Sequence, residues 1–324
     1  MKERLFWAGL AVAAFLIPLL SLMTGPAGFG WPVGGAGGGN PLLTLRIERL
    51  WAALAMGAGL AAAGVAFQAI LRNPLAEPYV LGVSGGASLG AAGAMSLGVV
   101  ASFWSIPLAA FIGGTMTLAL VLRLARSGEG PPTLYGLILS GVIVSSVCSG
   151  LLMFLLTIAP SERAHSILWW MFGSLQMPTR ALLEVGSVLL GLGLAGLVLL
   201  APELDALTLG RETAHYVGVR TERLIPAILL LATLLAAVSV AIGGLIGFVG
   251  LVVPHATRRL AGPVHRRLLP AAAVAGGLFL ALSDVVARQI LAPRELPVGV
   301  ITALVGGPFF LALLKRRQEE GVEE

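Results

Sequence analysis

The sequence predicts an all-α integral membrane protein with about ten transmembrane helices, a single membrane domain over residues 1–324 and both termini in the cytoplasm. Composition is the first observation behind this prediction. Of the 324 residues, 57% are hydrophobic and only 11% are charged, with a mean hydropathy of +0.94. Soluble domains carry about 25% charged residues, so this chain lies far outside that class.

Apolar stretches near 20 residues are the second observation, because each could cross roughly 30 Å of hydrocarbon as a helix. The first stretch follows a charged start, as a secretory signal does, but it is long and no cleavage site closes it, which predicts a retained helix. The seventh and eighth stretches are short and are joined only by Gly243 and Gly244. The predicted spans are 5–23, 48–70, 84–102, 105–124, 134–158, 181–200, 225–242, 245–260, 269–291 and 296–314.

The distribution of basic residues is the third observation, since loops rich in Lys and Arg stay in the cytoplasm. Ten spans with both ends inside leave 15 of the 21 basic residues in the cytoplasm and six outside. The six are Arg46, Arg49, Arg163, Arg180, Arg288 and Arg294. The net charge of +5 therefore reflects membrane topology, and no nucleic-acid partner is needed to explain it.

The chain contains no phosphate-binding motif of its own. Its two lysines, Lys2 and Lys315, lie near the two ends, and neither belongs to a G-x-x-x-x-G-K-[ST] loop. If ATP drives this protein, the ATPase is another chain.

Metal and cofactor sites are not predicted either. The four histidines have no spacing typical of zinc ligands, and His255, after Pro254, is interpreted as structural. Cys148 is the only cysteine and lies in an apolar run, so it is interpreted as a packing residue.

Only two of the sixteen acidic residues, Glu184 and Asp284, fall inside predicted spans. Ionisable groups in a membrane are costly and suggest function, for example a proton pathway. Asp284 precedes Arg288 by four residues, so both lie on one helical face. A structural ion pair near the outer surface and a proton relay are both open.

Gly82, Gly86 and Gly90 recur at intervals of four residues. Small residues at this spacing let helix backbones approach closely in lipid, which predicts a helix-packing face. Ala53, Gly57 and Ala61 repeat the pattern, so tight packing is expected throughout the bundle.

Several segments carry a resemblance to a known family. "RNPLAEPYVLGVSGGA", residues 72–87, resembles the N-P-L-A-x-P-x-x-L-G segment of the permease family that serves cobalamin, ferric-siderophore and haem ABC importers. Residues 46–68 and 243–270 are similar to that family's second span and to its G-x-I-G-F-x-G-L-x-x-P-H-x-x-R signature. Residues 283–288 and 295–317 resemble its last two helices. One departure is Glu48, which stands where the family has proline in R-x-P-R.

The resemblance implies a function. Members of this family are homodimeric permeases of the bacterial cytoplasmic (inner) membrane, surrounded by lipid, with ten spans per subunit. Two copies of a cytoplasmic ATPase power them, and a periplasmic or lipid-anchored binding protein delivers a ferric siderophore, haem or cobalamin. The chain itself is then not an enzyme. A secondary transporter driven by an ion gradient is the alternative, and sparse intramembrane carboxylates argue against it.

The resemblance also implies an ATPase-coupling segment at 203–223, with two short helices joined by a glycine turn. An apolar loop of this kind needs a partner surface to cover it, whereas an amphipathic helix lying on lipid is the alternative. The residues that match the family pattern are Leu204, Leu207, Leu209, Gly210, Ala214 and Gly218.

On the outer face, Arg46, Arg49 and Arg288 match the family's basic residues that receive acidic side chains of the binding protein. Exposed arginines suit reversible pairing with carboxylates, although they could equally anchor helix ends at lipid headgroups.

The family's translocation pathway is lined by the fifth span of both subunits. Here that span carries Ser145, Ser146 and Ser149, whose small hydroxyls suit a conduit but can also bond to their own helix. Thr133, Leu134 and Tyr135, at its cytoplasmic start, resemble the family's inner gate.

Overall fold

The computed structural model is a bundle of helices and describes residues 2–25, 28–32, 40–98, 104–125, 133–176 and 179–322. A short antiparallel pair of strands, β1 (Thr24–Gly25) and β2 (Gly28–Phe29), follows the first helix. A 3-10 helix, Pro78–Leu81, precedes α3. The helices are α1 (Lys2–Met23), α2 (Pro41–Ile70), α3 (Val83–Ser96), α4 (Ser105–Leu124), α5 (Leu134–Ile158), α6 (Ser161–Met171), α7 (Arg180–Leu199), α8 (Ala201–Thr208), α9 (Arg211–Tyr216), α10 (Thr221–Gly243), α11 (Val249–Ala261), α12 (His265–Gln289) and α13 (Val298–Val322).

Seven helices in the described part of the chain are long and apolar enough to cross a membrane: α1, α2, α4, α5, α7, α10 and α12. The other three predicted spans are shorter. α3 has 14 residues and α11 has 13, which at 1.5 Å per residue is only about 20 Å. The apolar part of α13 ends at Leu313. By length and composition, the described residues therefore contain seven candidate membrane spans.

α3 and α11 both begin at turns packed against other helices, and α3 ends at Ser96, before the predicted end at 102. Gly82 and Phe248, the residues preceding the two helices, both adopt left-handed backbone conformations. Gly250, in the first turn of α11, lies against the backbone of Gly64 in α2. Hydropathy places the start of α3 at residue 84, next to the observed Val83, but it places the start of α11 at residue 245, because the non-helical residues before Val249 are apolar too.

The centre of the bundle is α2, which packs against α12, α10, α11 and α7, while α3 packs against α4 and α5. Close backbone contact explains the abundance of small residues. A Cβ added at Gly57 would overlap the carbonyl of Gly276 in α12, and one added at Gly64 would overlap the carbonyl of Gly250. Between helices in lipid, such contacts supply packing energy that the hydrophobic effect does not.

The three glycines at intervals of four do not form one continuous face. Gly86 and Gly90 lie in α3 against α4, where an added Cβ would overlap the backbone at Gly113 and Ala109 respectively. Gly82 lies before the helix, with φ of 81°, a conformation that favours glycine. It turns the chain into α3, and it also packs against α5, since an added Cβ would lie 3.1 Å from Ser145 Oγ and 3.3 Å from the carbonyl of Gly141.

Candidate functional site

The three arginines predicted to dock a binding protein all bind to groups of their own chain. They are Arg46, Arg49 and Arg288. Arg49, near the start of α2, donates from Nη2 and Nε to Asp284 Oδ1 at 2.8 and 2.9 Å. Its Nη1 donates to Glu295 Oε2 at 2.7 Å. Arg288 Nε lies 3.1 Å from Asp284 Oδ2 and donates to the Asp284 carbonyl at 3.3 Å, so one carboxylate of α12 pairs with two guanidinium groups.

Arg288 is buried, with 2% of its side chain exposed. It also donates to the carbonyl of Thr24 at 2.6 Å and to Ser21 Oγ at 3.0 Å, which fastens the end of α1 to α12. The expectation that Arg288 is an exposed basic residue is wrong, because the pairing with Asp284 and the carbonyls of the α1 end outweigh solvation. Of the two interpretations of Asp284, the structural ion pair is the one the geometry displays.

Arg46 has a different environment. Its Nη1 donates to the carbonyls of Leu22 at 2.7 Å and Gly30 at 2.9 Å, and the residue is half-buried. Both acceptors are neutral, and within the described residues no carboxylate forms an ion pair with it. Of the three arginines predicted to dock a binding protein, Arg46 alone thus has no carboxylate counter-ion among the described residues.

The segment 203–223 forms two short helices, α8 and α9, joined at Gly210. Gly210 has φ of 123° and Gly218 has φ of 89°, so both turns use conformations that side chains disfavour. Leu204, Leu207 and Ala214 are buried in the chain's own core, whereas Leu209 is 73% exposed. Helical periodicity turns three of these four apolar residues inward and leaves Leu209 for a partner surface.

The segment exposes further apolar side chains and lies beside basic groups. Tyr216 and Val217 are 87% and 68% exposed. The Arg72 guanidinium lies beside Gly210. Burial lowers the pKa of Arg211, and the neighbouring positive charge of Arg72 lowers it further. The R-N-P-L turn and the coupling segment thus share one basic patch.

An ionic contact fastens α8 to α12. The carboxylate of Asp205 accepts the backbone N–H of His265 at 3.0 Å and lies 2.5 Å from its Nδ1. His265 is the first residue of α12 and is buried. Sequence analysis missed this pair, because the two residues are 60 positions apart and neither belongs to a recognisable site pattern.

The predicted pathway residues occupy α5. Ser146 and Ser149 are exposed, and Ser146 donates to the carbonyl of Val142 at 2.9 Å. Ser145 is half-buried next to Gly82. The α5 face that carries Ser146 and Ser149 is otherwise apolar, with Val142 and Met153 exposed. Nothing in the described part of the chain covers this face.

The predicted gate residues stand at the start of α5. Thr133 is the N-cap of the helix, and its Oγ1 accepts the N–H of Gly136 at 3.0 Å. Tyr135 is 76% exposed. Leu134 is the first helical residue, and its side chain lies outside the described part.

Three polar residues around the α2–α3 turn bond to backbone groups between residues 246 and 250, and the sequence analysis did not single them out as site residues. Glu77 accepts the N–H of Phe248 through Oε1, which caps α11. The hydroxyl of Tyr79 donates to the carbonyl of Ile246 at 3.1 Å and accepts its N–H at 3.3 Å. Gln68 donates to the carbonyl of Gly250 at 3.3 Å. The only signal was that Glu77 and Tyr79 lie inside the 72–87 segment.

Comparison with known proteins identifies relatives of this arrangement. The sequence matches the FecCD transport family over residues 5–316. It is 39% identical to the hemin transport system permease protein HmuU of Yersinia pestis, over 86% of this chain and 84% of that protein. It is 40% identical to the Fe(3+) dicitrate transport system permease protein FecD of Escherichia coli, over 85% of each. The cobalamin import system permease protein BtuC of Halobacterium salinarum is 39% identical over 85% of this chain and 73% of that protein.

The fold has solved counterparts. A structure described as an inward-facing conformation of a metal-chelate type ABC transporter superposes with a TM-score of 0.86. The match is 32% identical and covers 97% of this chain and 99% of that one. PsaBC from Streptococcus pneumoniae, at 17% identity and a TM-score of 0.58, shares the fold alone.

Proposed function

The chain belongs to the FecCD transport family, and from that premise we propose that it is the permease subunit of an ATP-driven importer for a metal chelate (ferric siderophore or haem) or cobalamin. The observation that carries this proposal is the match to hemin, Fe(3+) dicitrate and cobalamin permeases over 85–86% of the chain. The chain is a multi-pass membrane protein and a transport component. ATP hydrolysis is assigned to a separate subunit, since the sequence carries no phosphate-binding loop.

We place the protein in the bacterial cytoplasmic (inner) membrane as a single membrane domain with both termini inside. In this arrangement α3, α11 and α13 join the seven long helices to make ten passes or partial passes. The excess of basic residues on the proposed cytoplasmic side supports the orientation.

A homodimer is the proposed assembly, with the translocation pathway between two copies of α5. The support is the uncovered α5 face, where Ser146 and Ser149 stand among exposed apolar side chains. In lipid this face could remain bare, but hydroxyls there gain from a polar conduit or a second helix. Thr133, Leu134 and Tyr135 would stand at the cytoplasmic end of that conduit.

Two copies of a cytoplasmic ATPase are proposed to bind the α8–α9 segment. Leu209, Tyr216 and Val217 supply an exposed apolar surface, and Arg72 and Arg211 supply positive charge at its edge. A partner groove with an apolar floor and an acidic rim would complement this surface. The buried side chains of the segment hold it against the bundle; these are Leu204, Leu207 and Ala214.

A periplasmic or lipid-anchored binding protein is proposed to dock on the outer face through its carboxylates. Arg46 is the principal docking residue, since its hydrogen bonds go to neutral carbonyls. Arg49 stands at the rim of the ionic network with 12% of its side chain exposed. Arg288 supports the surface from beneath it.

Charge reversal tests the docking surface. Arg46→Glu should weaken the stimulation of ATPase activity by the loaded binding protein in a reconstituted complex. The effect should be strongest at low salt, because added salt screens exposed charges and shortens the Debye length to about 3 Å at 1 M. Arg180→Glu is the matched control, since Arg180 is also predicted to lie outside but pairs with the exposed Glu184. Equal stimulation curves for Arg46→Glu and the parent at low salt would remove Arg46 from the docking surface.

A further inference from the structure

The two carboxylates that hold Arg49 differ in how firmly they are placed. Asp284 is completely buried in α12 and is shared by Arg49 and Arg288. Glu295 lies between α12 and α13, outside both helices, and 12% of its side chain is exposed. Its contact with Arg49 is made by one oxygen, Oε2, to one nitrogen, Nη1, at 2.7 Å. Glu295 is therefore the more accessible of the two carboxylates, and a single oxygen–nitrogen contact joins it to Arg49.

The charges of this network cancel. Arg49 and Arg288 contribute two positive charges, and Asp284 and Glu295 contribute two negative charges. An incoming carboxylate meets no net attraction from a neutral cluster. If Glu295 moves away, the cluster gains one positive charge and exposes the Nη1 donor of Arg49. Replacement by another carboxylate then leaves no buried donor unpaired, which keeps the exchange inexpensive.

Glu295 also restrains the elements around it. Its Oε2 accepts a hydrogen bond from Gln176 Nε2 at 2.9 Å, in the connection between α6 and α7. Leu296 donates its N–H to the carbonyl of Ala287 at 3.0 Å. Gly299, in the first turn of α13, lies against the carbonyl of Phe172. Release of Glu295 removes the bond to Gln176 and so loosens the 290–297 connection at that point, while the Leu296 and Gly299 contacts remain.

We propose that Glu295 is a displaceable internal counter-ion of Arg49, replaced by a carboxylate of an acidic partner protein when that partner docks on the outer face. The exchange loosens the 290–297 connection. Docking of the partner therefore changes the restraint on the start of α13. This inference rests on the proposed docking of an acidic partner at this face. Asp284 stays in place throughout, since it is buried and held by two arginines.

The test uses the full chain in lipid nanodiscs and a ten-residue peptide of alternating glutamate and glycine as the carboxylate probe. Glu295→Gln should raise peptide affinity roughly two- to fivefold at low salt, as expected for one exposed charge pair. The gain should vanish in Glu295→Gln/Arg49→Gln, and a glutamine–glycine peptide should show none. Glu184→Gln, which removes a carboxylate from the exposed Arg180 pair, is the matched control and should give no such gain.

A second measurement needs no substitution. Amide hydrogen exchange of residues 290–297 in the parent chain should accelerate when the acidic peptide saturates it, whereas exchange in α2 should not change. A purely structural Glu295 would not produce this acceleration, so unchanged exchange at saturation overturns the proposal.

The outcomes separate the two levels of inference. If Arg46→Glu and Arg49→Gln weaken peptide binding while Glu295→Gln leaves it unchanged or weaker, docking at this face holds and displacement is overturned. A gain from Glu295→Gln that persists without Arg49 also overturns displacement. If none of the three variants alters binding, the proposed docking face itself is wrong.

Discussion

Asp284 joins the outer ends of three helices at the scale of single residues. It lies fully buried in α12, accepts hydrogen bonds from Arg49 of α2 and pairs with Arg288, which in turn holds the end of α1. Buried ion pairs are not strong net stabilisers, because desolvation offsets their attraction. Removing one partner is nevertheless costly, since the remaining charges stay buried and uncompensated.

Asp284→Asn should therefore lower the free energy of unfolding by about 3–5 kcal/mol. Detergent-titrated unfolding of the purified protein measures this. Glu184→Gln removes the other carboxylate predicted to lie in a span, but its partner Arg180 is exposed, so a change of at most about 1 kcal/mol is expected. Equal stability of Asp284→Asn and the parent would mean that the network contributes nothing to folding.

The spacing of Asp284 and Arg288 was sufficient to predict their contact, because residues four apart share a helical face. It could not predict the contact with Arg49, which is 235 residues away. The solvent exposure of Arg49 also depends on this distant contact. The sequence showed that these positions carry arginine. It could not show whether their guanidinium groups are free to bind a partner.

At the scale of elements, glycine contacts determine which helices can lie side by side. α2 approaches α11 so closely that an added Cβ at Gly64 would overlap the carbonyl of Gly250. Gly191 in α7, by contrast, has no atom within 4 Å of the position of an added Cβ. The sequence predicted small residues at helix contacts, but it could not distinguish the glycines that touch a neighbour from those that do not.

Gly64→Ala should consequently destabilise the bundle by about 1–3 kcal/mol through overpacking. Gly191→Ala should leave stability unchanged or raise it slightly, because alanine is the better helix former. Thermal unfolding in the same detergent compares the two directly. A similar melting temperature for both variants would contradict the close approach of α2 and α11.

For the predicted coupling segment, residues 203–223, the sequence predicted the helices but not the contacts that they make. Pattern and resemblance predicted two short helices with a glycine turn, and α8 and α9 have that form. Which leucine faces the core depends on how α8 is rotated against α2 and α12, and the 21 residues of the segment 203–223 do not determine it. Leu204 is fully buried and Leu209 is 73% exposed.

Two alanine substitutions should separate these roles. Leu204→Ala is expected to cost about 2–5 kcal/mol of stability, as large-to-small core changes do. Leu209→Ala should leave unfolding unchanged and reduce co-elution of the ATPase with the permease in size-exclusion chromatography. Full ATPase retention by Leu209→Ala would exclude this side chain from the partner interface.

At the scale of the whole molecule, composition was enough to predict a helical membrane protein, and seven long apolar helices agree with it. The start of α11 is harder to predict, because this helix follows a non-helical stretch held by Glu77 and Tyr79. Those contacts join residues about 170 positions apart. Hydropathy is a local property, so it cannot locate a helix start that a distant side chain creates.

The central claim is that a separate ATPase drives import through this permease. Uptake of radiolabelled chelate or cobalamin into proteoliposomes that contain the permease, its ATPase and its binding protein tests it most directly. Uptake should require ATP on the ATPase side, stop with a hydrolysis-deficient ATPase variant and continue when an uncoupler dissipates the proton gradient. Uptake that proceeds without ATP and collapses with the uncoupler would contradict the claim and identify an ion-driven secondary transporter.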